Sequence, residues 1–383
     1  LPDDRPVRDV IVIGGGPAGS SAAEVLSAGG HDVLLLDSNV HPGTPIRCGE
    51  AISERTMRLS GLDHQGPWIK GRIEGWRIRS RSGDEIYTSV GGFNLKRDLF
   101  DEELLRRAGE SGAELELGSG AVSIVKESGL WEVRTGRSTW KGTKLVLACG
   151  PNRPLIEQVV GETNMTFMRA LEVKLGIGDD SGKLMFLVTA SLRGGYGWYF
   201  PRGDEVNAGV VTYGDPVREL EWVLSTLNID RNRIRSHHGG PIPVSGMGKV
   251  RVDESAILVG DAGGFTNPVS KGGIVGALFS GKEGGQAISR SLSGDEKALE
   301  SWENRMREHP AFTPMNLDRN RFLSGLSDEA LDALTSLVRG RDIWTLRKAE
   351  LVKEVWRRPE LRRNLKGTLK LAIGGREWVT WAF

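Results

Sequence analysis

Apolar positions first concentrate at residues 7–13 (VRDVIVI), a short β-branched run that predicts a strand buried on both faces. Gly14-Gly15-Gly16-Pro17-Ala18-Gly19 follows at once, and then an Ala-rich segment (SSAAEVLSAGG) that predicts a helix. A second apolar run at 32–36 ends on the acid Asp37. Two alternating stretches within 72–92 (RIEGWRIRS and DEIYTSV), set around Ser82-Gly83, predict a hairpin. Residues 94–108 predict a helix: Asp98 and residues 101–103 put acids in its first turn, and Leu99, Leu104 and Leu105 form its apolar stripe. Strands are predicted at 166–177, 184–190, 196–201 and 206–213, followed by a helix at 216–227. That set implies a mostly antiparallel sheet. An apolar strand at 256–259 runs into Gly260-Asp261-Ala262 and then a Gly- and Ala-rich helix. Beyond about residue 295 the pattern is helical (327–338, 343–355, 359–373), with Ser327 as N-cap of the first of these.

Length and composition narrow the class. A chain of 383 residues carries two or so domains and can bury a core without staples. Its 38% hydrophobic and 26% charged residues read as globular. Two cysteines, Cys48 and Cys149, exclude a disulfide scaffold and a four-cysteine zinc site. The 52 glycines show no collagen period and must be read position by position. The net charge of +1 hides an asymmetry, because residues 339–376 hold twelve Lys/Arg against four Asp/Glu. No apolar run is long enough for a membrane-spanning helix, and no signal peptide is read at the start. The expected location is the cytoplasm, with a peripheral contact at the inner face of the membrane as the alternative within it.

The order strand, glycine turn, helix, strand, acid is a strong dinucleotide-binding signal. Gly14 allows the tight turn, Gly16 lets a pyrophosphate approach the backbone, and Gly19 lets helix and strand pack closely, with Ala18 beside it. The helix N-terminus faces the phosphates with unpaired N–H groups, and Asp37 is placed to accept from adenosine ribose hydroxyls. The motif alone does not separate NAD from FAD. The long polar loop at 38–50 favours a flavin domain.

Four segments then resemble the FAD-dependent geranylgeranyl reductases, which include the archaeal digeranylgeranylglycerophospholipid reductases. That family lies within the hydroxybenzoate-hydroxylase-like flavoproteins. Residues 42–51 (PGTPIRCGEA) resemble its P-x-x-C-G-E-G segment, which places Cys48, Gly49 and Ala51 beside the flavin. Residues 94–108 match R-x-x-F-D-x-x-L through Arg97, Phe100 and Asp101. The resemblance puts Arg97 on the ribityl or phosphate part and Ala121 near the adenine. Residues 255–274 (SAILVGDAGGFTNPVSKGGI) carry the Gly-Asp pair whose Asp261 binds ribityl hydroxyls, and Gly273-Ile274 begin a helix aimed at the pyrimidine end. Residues 195–201 (GYGWYFP) match Y-x-W-x-F-P. Tyr196, Trp198 and Phe200 share one strand face, which by pattern alone is a packed core and by resemblance the wall of a prenyl-chain cavity.

Three positions depart from the family. Ala51 replaces a glycine. Ala148-Cys149-Gly150 stands where related flavoproteins read A-D-G, which leaves direct reduction by NADPH open. Lys271 replaces a small residue, as either a charge near the flavin or a surface lysine.

The implied architecture is α/β (α+β overall). A Rossmann-like FAD-binding domain of the hydroxybenzoate-hydroxylase/glutathione-reductase type is drawn from 1–60, 95–150 and 250–292. An antiparallel-sheet substrate domain takes 61–94 and 151–249, and a helical region spans 293–383. The implied reaction reduces C=C bonds of geranylgeranyl chains of membrane-lipid precursors, with Cys48 as the catalytic candidate. Partners implied are an isoprenoid lipid and an electron donor: NADPH, ferredoxin or another low-potential carrier. An FAD monooxygenase or halogenase and a non-catalytic flavin-bound lipid carrier are the competing readings. No metal site is expected, and His237-His238 reads as a loop pair. Trp344, Trp356, Trp378 and Trp381 within the basic C-terminal stretch read either as a membrane-surface face or as a basic face over an aromatic core. No nucleic-acid motif accompanies that charge.

Overall fold

A computed structural model describes residues 5–337, 342, 348–363 and 367–368. The VRDVIVI run forms the strand Arg8–Ile13 at the centre of a sheet. Val33–Leu36 lies parallel on one side and Thr139–Leu147 parallel on the other. Glu114–Glu116 extends one edge, and Ala256–Leu258 with Arg251–Val252 extends the other. A hairpin, Ala121–Glu127 and Leu130–Thr135, pairs onto Thr139–Leu147. Val10 to Val12 and Leu34 to Leu36 are fully buried, so the β-branched run is covered on both faces.

One cover is the glycine-turn helix Pro17–Ala28, packed against the long helix Ile274–Leu292. Their approach is close enough that a Cβ on Gly281 would stand 2.2 Å from the Ala18 carbonyl oxygen. The opposite face is covered by Leu155, Ile156 and Val159 of the helix Arg153–Val160.

The second sheet has seven strands, in the order Ile234–Pro243, Phe167–Leu175, Val206–Thr212, Tyr196–Pro201, Lys183–Leu187, Gly75–Arg79, Glu85–Thr88. All its neighbours pair antiparallel except Lys183–Leu187 with Gly75–Arg79. Its outer positions (Val173, Leu175, Val206, Ala208, Val210) pack on Leu220, Val223 and Leu224 of the helix Pro216–Thr226. Its inner face looks towards the nucleotide sheet.

Most predicted elements are present, including the hairpin, now Gly75–Arg79 and Glu85–Thr88. Two expectations change, and the open placement of Lys271 is decided. Ile234–Pro243 is a strand that the sequence reading did not contain, so His237 and His238 lie on a sheet edge and not in a loop. Its inward positions are Ser236, His238, Gly240 and Ile242, of which only the last is apolar, so there is no apolar alternation to read. Ala51–Ser53, Gly92–Leu95 and Ile69–Ile73 form a separate three-stranded sheet. Lys271 is buried, not a surface side chain, because carbonyls converge on its ammonium.

In the C-terminal region Ser327 caps Asp328–Ser336 by accepting the Ala330 N–H. Lys348–Arg357 and Pro359–Arg362 are helical. Trp356 is exposed under the Arg362 guanidinium, whereas Trp344, Trp378 and Trp381 lie outside the described residues. No helix among the described residues is long and apolar enough to cross a membrane.

Candidate functional site

A cleft of about 520 Å³ runs from the carboxyl ends of the parallel strands to the inner face of the seven-stranded sheet. Gly14, Gly16, Ala18 and Asp37 line one end, with Ala121 near them. Asp261, Gly273 and Ile274 line the middle. Cys48, Gly49, Ala51 and Arg97 line it beside Tyr196, Trp198 and Phe200. Of the residues singled out from sequence, Gly19 stands behind the wall, where a Cβ would be 1.8 Å from the Gly14 carbonyl oxygen.

The nucleotide end has the shape a pyrophosphate needs. Gly14 turns at φ +110, and a Cβ there would lie 2.2 Å from the Ala148 carbonyl oxygen. Gly16 is different: a Cβ on it would meet nothing within 4 Å, so its bare face opens to the cleft at the helix N-terminus. Asp37 accepts the Gly15 N–H at 2.6 Å and the Asn39 N–H at 2.7 Å. Its carboxylate thus braces the glycine turn as well as facing the cleft. Further along, Asp261 accepts from Thr266 at 2.5 Å, and burial pushes its carboxyl up from the ordinary value. These features fit a dinucleotide with a polyhydroxyl chain, so the residues present fit FAD.

Arg97 begins the helix Arg97–Glu110 and grips Asp101 with two bonds of 2.8 and 2.7 Å. This bidentate pair holds the guanidinium in one orientation at the cleft beside Cys48. The Cys48 sulfur accepts the Glu50 N–H at 3.2 Å. Burial pushes the thiol up from 9.0 against the opposing pull of Arg97, which keeps it protonated at neutral pH.

The aromatic wall follows from strand alternation. Phe186 pairs opposite Trp198, and Trp198 opposite Gly209. A Cβ on Gly209 would stand 2.3 Å from the Trp198 ring, so only glycine leaves room for the indole. Phe186 meets Tyr196 and Phe200 edge to face at 5.1 and 5.2 Å, and Trp76 backs Phe186 at 5.8 Å. The Tyr196 hydroxyl donates to the Ser270 carbonyl and ties the wall to the loop before Gly273.

A buried polar cluster beside this wall was not singled out from sequence. Glu50 is 1% exposed with φ 61, and its Oε2 accepts from both Lys174 and Arg202. Arg202 also donates to the Leu95 carbonyl at 2.7 Å. Glu172 accepts the Cys48 N–H at 3.1 Å and the Asn207 side-chain amide at 3.2 Å. The same Asn207 amide donates to the Cys48 carbonyl at 3.1 Å, and its oxygen accepts the Trp198 indole N–H at 2.9 Å. The sequence signal was available: Glu172 and Lys174 alternate with Leu171, Val173 and Leu175 on one strand, so charge must occupy the inner face.

Lys271 closes the site on another side. Its ammonium donates to the carbonyls of Gly194 (3.0 Å), Pro268 and Val269 (3.2 Å) and to Asn320 Oδ1 (2.8 Å).

Comparison with known proteins agrees with this arrangement. Residues 8–187 match the pyridine nucleotide-disulphide oxidoreductase family. The chain is 29% identical to the digeranylgeranylglycerophospholipid reductase of Methanocella arvoryzae, over 94% of this chain and 99% of that one. It is also 29% identical to digeranylgeranylglycerophospholipid reductase 2 of Methanopyrus kandleri, at the same coverage. A geranylgeranyl bacteriochlorophyll reductase-like structure from Thermoplasma acidophilum superposes with a TM-score of 0.81 at 23% identity, covering 94% of this chain and 99% of that one. A flavin-dependent brominase superposes at 0.65 and 16% identity, covering 98% and 97%. The fold is thus shared by reductases and halogenases, and similarity along the whole chain favours the reductases.

Proposed function

We propose that the chain is an FAD-dependent oxidoreductase of the geranylgeranyl reductase kind, which saturates C=C bonds in the isoprenoid chains of a membrane-lipid precursor, as its similarity to the digeranylgeranylglycerophospholipid reductases supports. The observation that carries this reading is the aromatic wall of Tyr196, Trp198 and Phe200, backed by Phe186 and meeting the Cys48 segment in the same cleft. An isolated alkene has no carbonyl to polarise, so positioning and exclusion of water must lower much of the barrier. Flat, edge-packed rings suit a sliding apolar chain, and they keep water from the reacting carbons.

FAD, when bound and reduced, supplies hydride from its N5. The protein's contribution begins with the glycine turn: Gly16 admits the pyrophosphate and the helix N-terminus offers its N–H groups. Asp37 is assigned the adenosine ribose, Arg97 and Asp261 the ribityl part, Ala121 the adenine surroundings, and Gly273 and Ile274 the pyrimidine end. The Cys48 thiol holds a proton at Sγ and shapes the cavity where the chain passes. Electrons arrive from a low-potential donor, and Cys149 at the place where related flavoproteins carry an acid argues for a carrier over direct NADPH.

The test is anaerobic. Flavin reduced with dithionite is mixed with geranylgeranyl diphosphate or a digeranylgeranylglycerol lipid. Reoxidation, with product mass rising in steps of two hydrogens, is expected. Flavin that stays reduced until oxygen enters points to monooxygenase or halogenase chemistry, and flavin inert to both points to a carrier.

A further inference from the structure

Glu172 is a buried titratable group on the cleft to which the reaction outlined above gives no role. It sits in the middle of the strand Phe167–Leu175, 3% exposed, and lines the cleft with Cys48 and Trp198. In register it lies opposite Gly209 on one neighbouring strand and His238 on the other. Trp198 follows opposite Gly209, so carboxyl and aromatic wall share the inner face. Both oxygens are anchored, one by the Cys48 N–H and one by Asn207. The group is therefore fixed between the thiol segment and the wall, where a substrate chain on the rings would pass.

Chemistry separates it from the thiol. Reduction of an alkene needs a proton as well as a hydride, and an efficient donor ionises near the working pH. Burial pushes the Glu172 carboxyl up from 4.5 to about 7. Asn207, the Cys48 N–H, Arg202 and Arg97 all favour the carboxylate, and burial outweighs them. Lys174 and Glu50, engaged with each other, Arg47 on the cleft, and His238 across the strand, which burial holds below its ordinary value and so neutral, are the other titratable groups around it. The Cys48 thiol, held above 9, is the weaker acid and gives up its proton less readily.

We propose that Glu172 delivers the proton that completes alkene reduction, a role that rests on the reductase reading. One alkene carbon gains hydride, with its two electrons, from reduced FAD. The other forms its C–H bond with the Glu172 proton as the carboxyl O–H breaks. The resulting carboxylate remains held by the Cys48 N–H and Asn207, and it regains a proton from water before the next turnover.

Glu172→Gln keeps the shape and a carbonyl oxygen for the Cys48 N–H, but it has no acidic proton. Flavin content, single-turnover reoxidation of prereduced enzyme by a digeranylgeranylglycerol lipid, and the pH profile of that step are measured for wild type, E172Q, E172D and C48A. The wild-type rate is expected to fall as pH rises through about 7. E172Q is expected to retain flavin, slow by about 10²-fold or more, and lose that pH dependence. E172D should recover part of the rate with a displaced profile, and C48A should keep the break. A wild-type rate and break in E172Q, or a break that disappears in C48A instead, overturns the assignment. Infrared difference spectra supply a readout independent of turnover: a protonated carboxyl band titrating near pH 7 and absent from E172Q. Wild type that shows the band but reduces no prenyl lipid refutes the reductase reading, whereas wild type that reduces lipid without the band refutes the role of Glu172.

Discussion

Gly16 and Gly19 stand three residues apart in one turn, yet alanine at each should fail for opposite reasons. At Gly16 the backbone is extended, φ −72 and ψ −176, and a Cβ would touch nothing within 4 Å. Alanine there costs the fold nothing, and the stiffer unfolded chain adds about 0.4–1 kcal/mol of stability. The methyl group instead projects into the space a pyrophosphate oxygen needs. Loss of one charge-assisted hydrogen bond, worth about 1.5–3 kcal/mol, weakens FAD binding by about 10- to 150-fold. At Gly19 the Cβ would lie 1.8 Å from the Gly14 carbonyl oxygen and 3.1 Å from the Ala148 methyl group. Backbone cannot yield there without opening the turn, so G19A costs about 3 kcal/mol of folding stability, at the upper end of overpacking effects. Urea unfolding must be measured on flavin-stripped protein, because bound FAD itself stabilises the native state. FAD affinity is read from quenching of flavin fluorescence. An unchanged FAD affinity in G16A would falsify the assignment of this turn to the pyrophosphate, and a large loss of apo-protein stability in G16A would refute the open-face geometry.

Three further outcomes are expected. Glu50→Gln removes the carboxylate shared by Lys174 and Arg202, leaves two cations buried without it, and should cost about 3–5 kcal/mol in urea unfolding. Glu172 makes stability depend on pH: its folded value is raised from 4.5 to about 7, so its contribution is full below 4.5 and declines as pH rises through about 7. E172Q should therefore gain on wild type in urea midpoint between pH 5 and pH 8, and an unchanged difference across that interval speaks against a buried titrating carboxyl. Trp198→Phe keeps an aromatic ring but removes the donor to Asn207 Oδ1. Turnover should fall about fivefold to tenfold, the effect of one net hydrogen bond of about 1 kcal/mol, with KM little changed. A rise in KM alone would show that the indole acts through packing.

The parts legible in the sequence are those whose cause is local. The glycine turn is spelled in six consecutive residues, and its strand and helix flanks follow from β-branched and alanine-rich runs. Tyr196–Pro201 was bounded as observed because alternation and the aromatic signature coincide. Ile234–Pro243 was not legible, since its inner positions face a polar cleft edge and carry no apolar rhythm. Lys271 could not be placed, because the groups that bury it come from Gly194, from its own loop and from Asn320. Glu172 and Lys174 lie between these cases: the strand was predicted, but their partners, Cys48, Asn207 and Glu50, are distant in sequence.

The strand Phe167–Leu175 explains why the polar groups sit where they do. Its outer residues Val173 and Leu175 are committed to the core under the helix Pro216–Thr226. A slip of one residue would put Glu172 and Lys174 into that core, so the register is fixed by their charge as much as by the apolar packing. The inner face is then forced to be mixed, aromatic on Tyr196–Pro201 and Lys183–Leu187, ionisable on Phe167–Leu175. An apolar chain gains by lying on the first part and loses by covering the second, which resists desolvation. The boundary between them falls where Asn207 joins Trp198 to Glu172 and Cys48. On the proposed reading, a long isoprenoid would slide along the rings and meet the Glu172 carboxyl at that boundary. Sliding and protonation would thereby be separated on one sheet face.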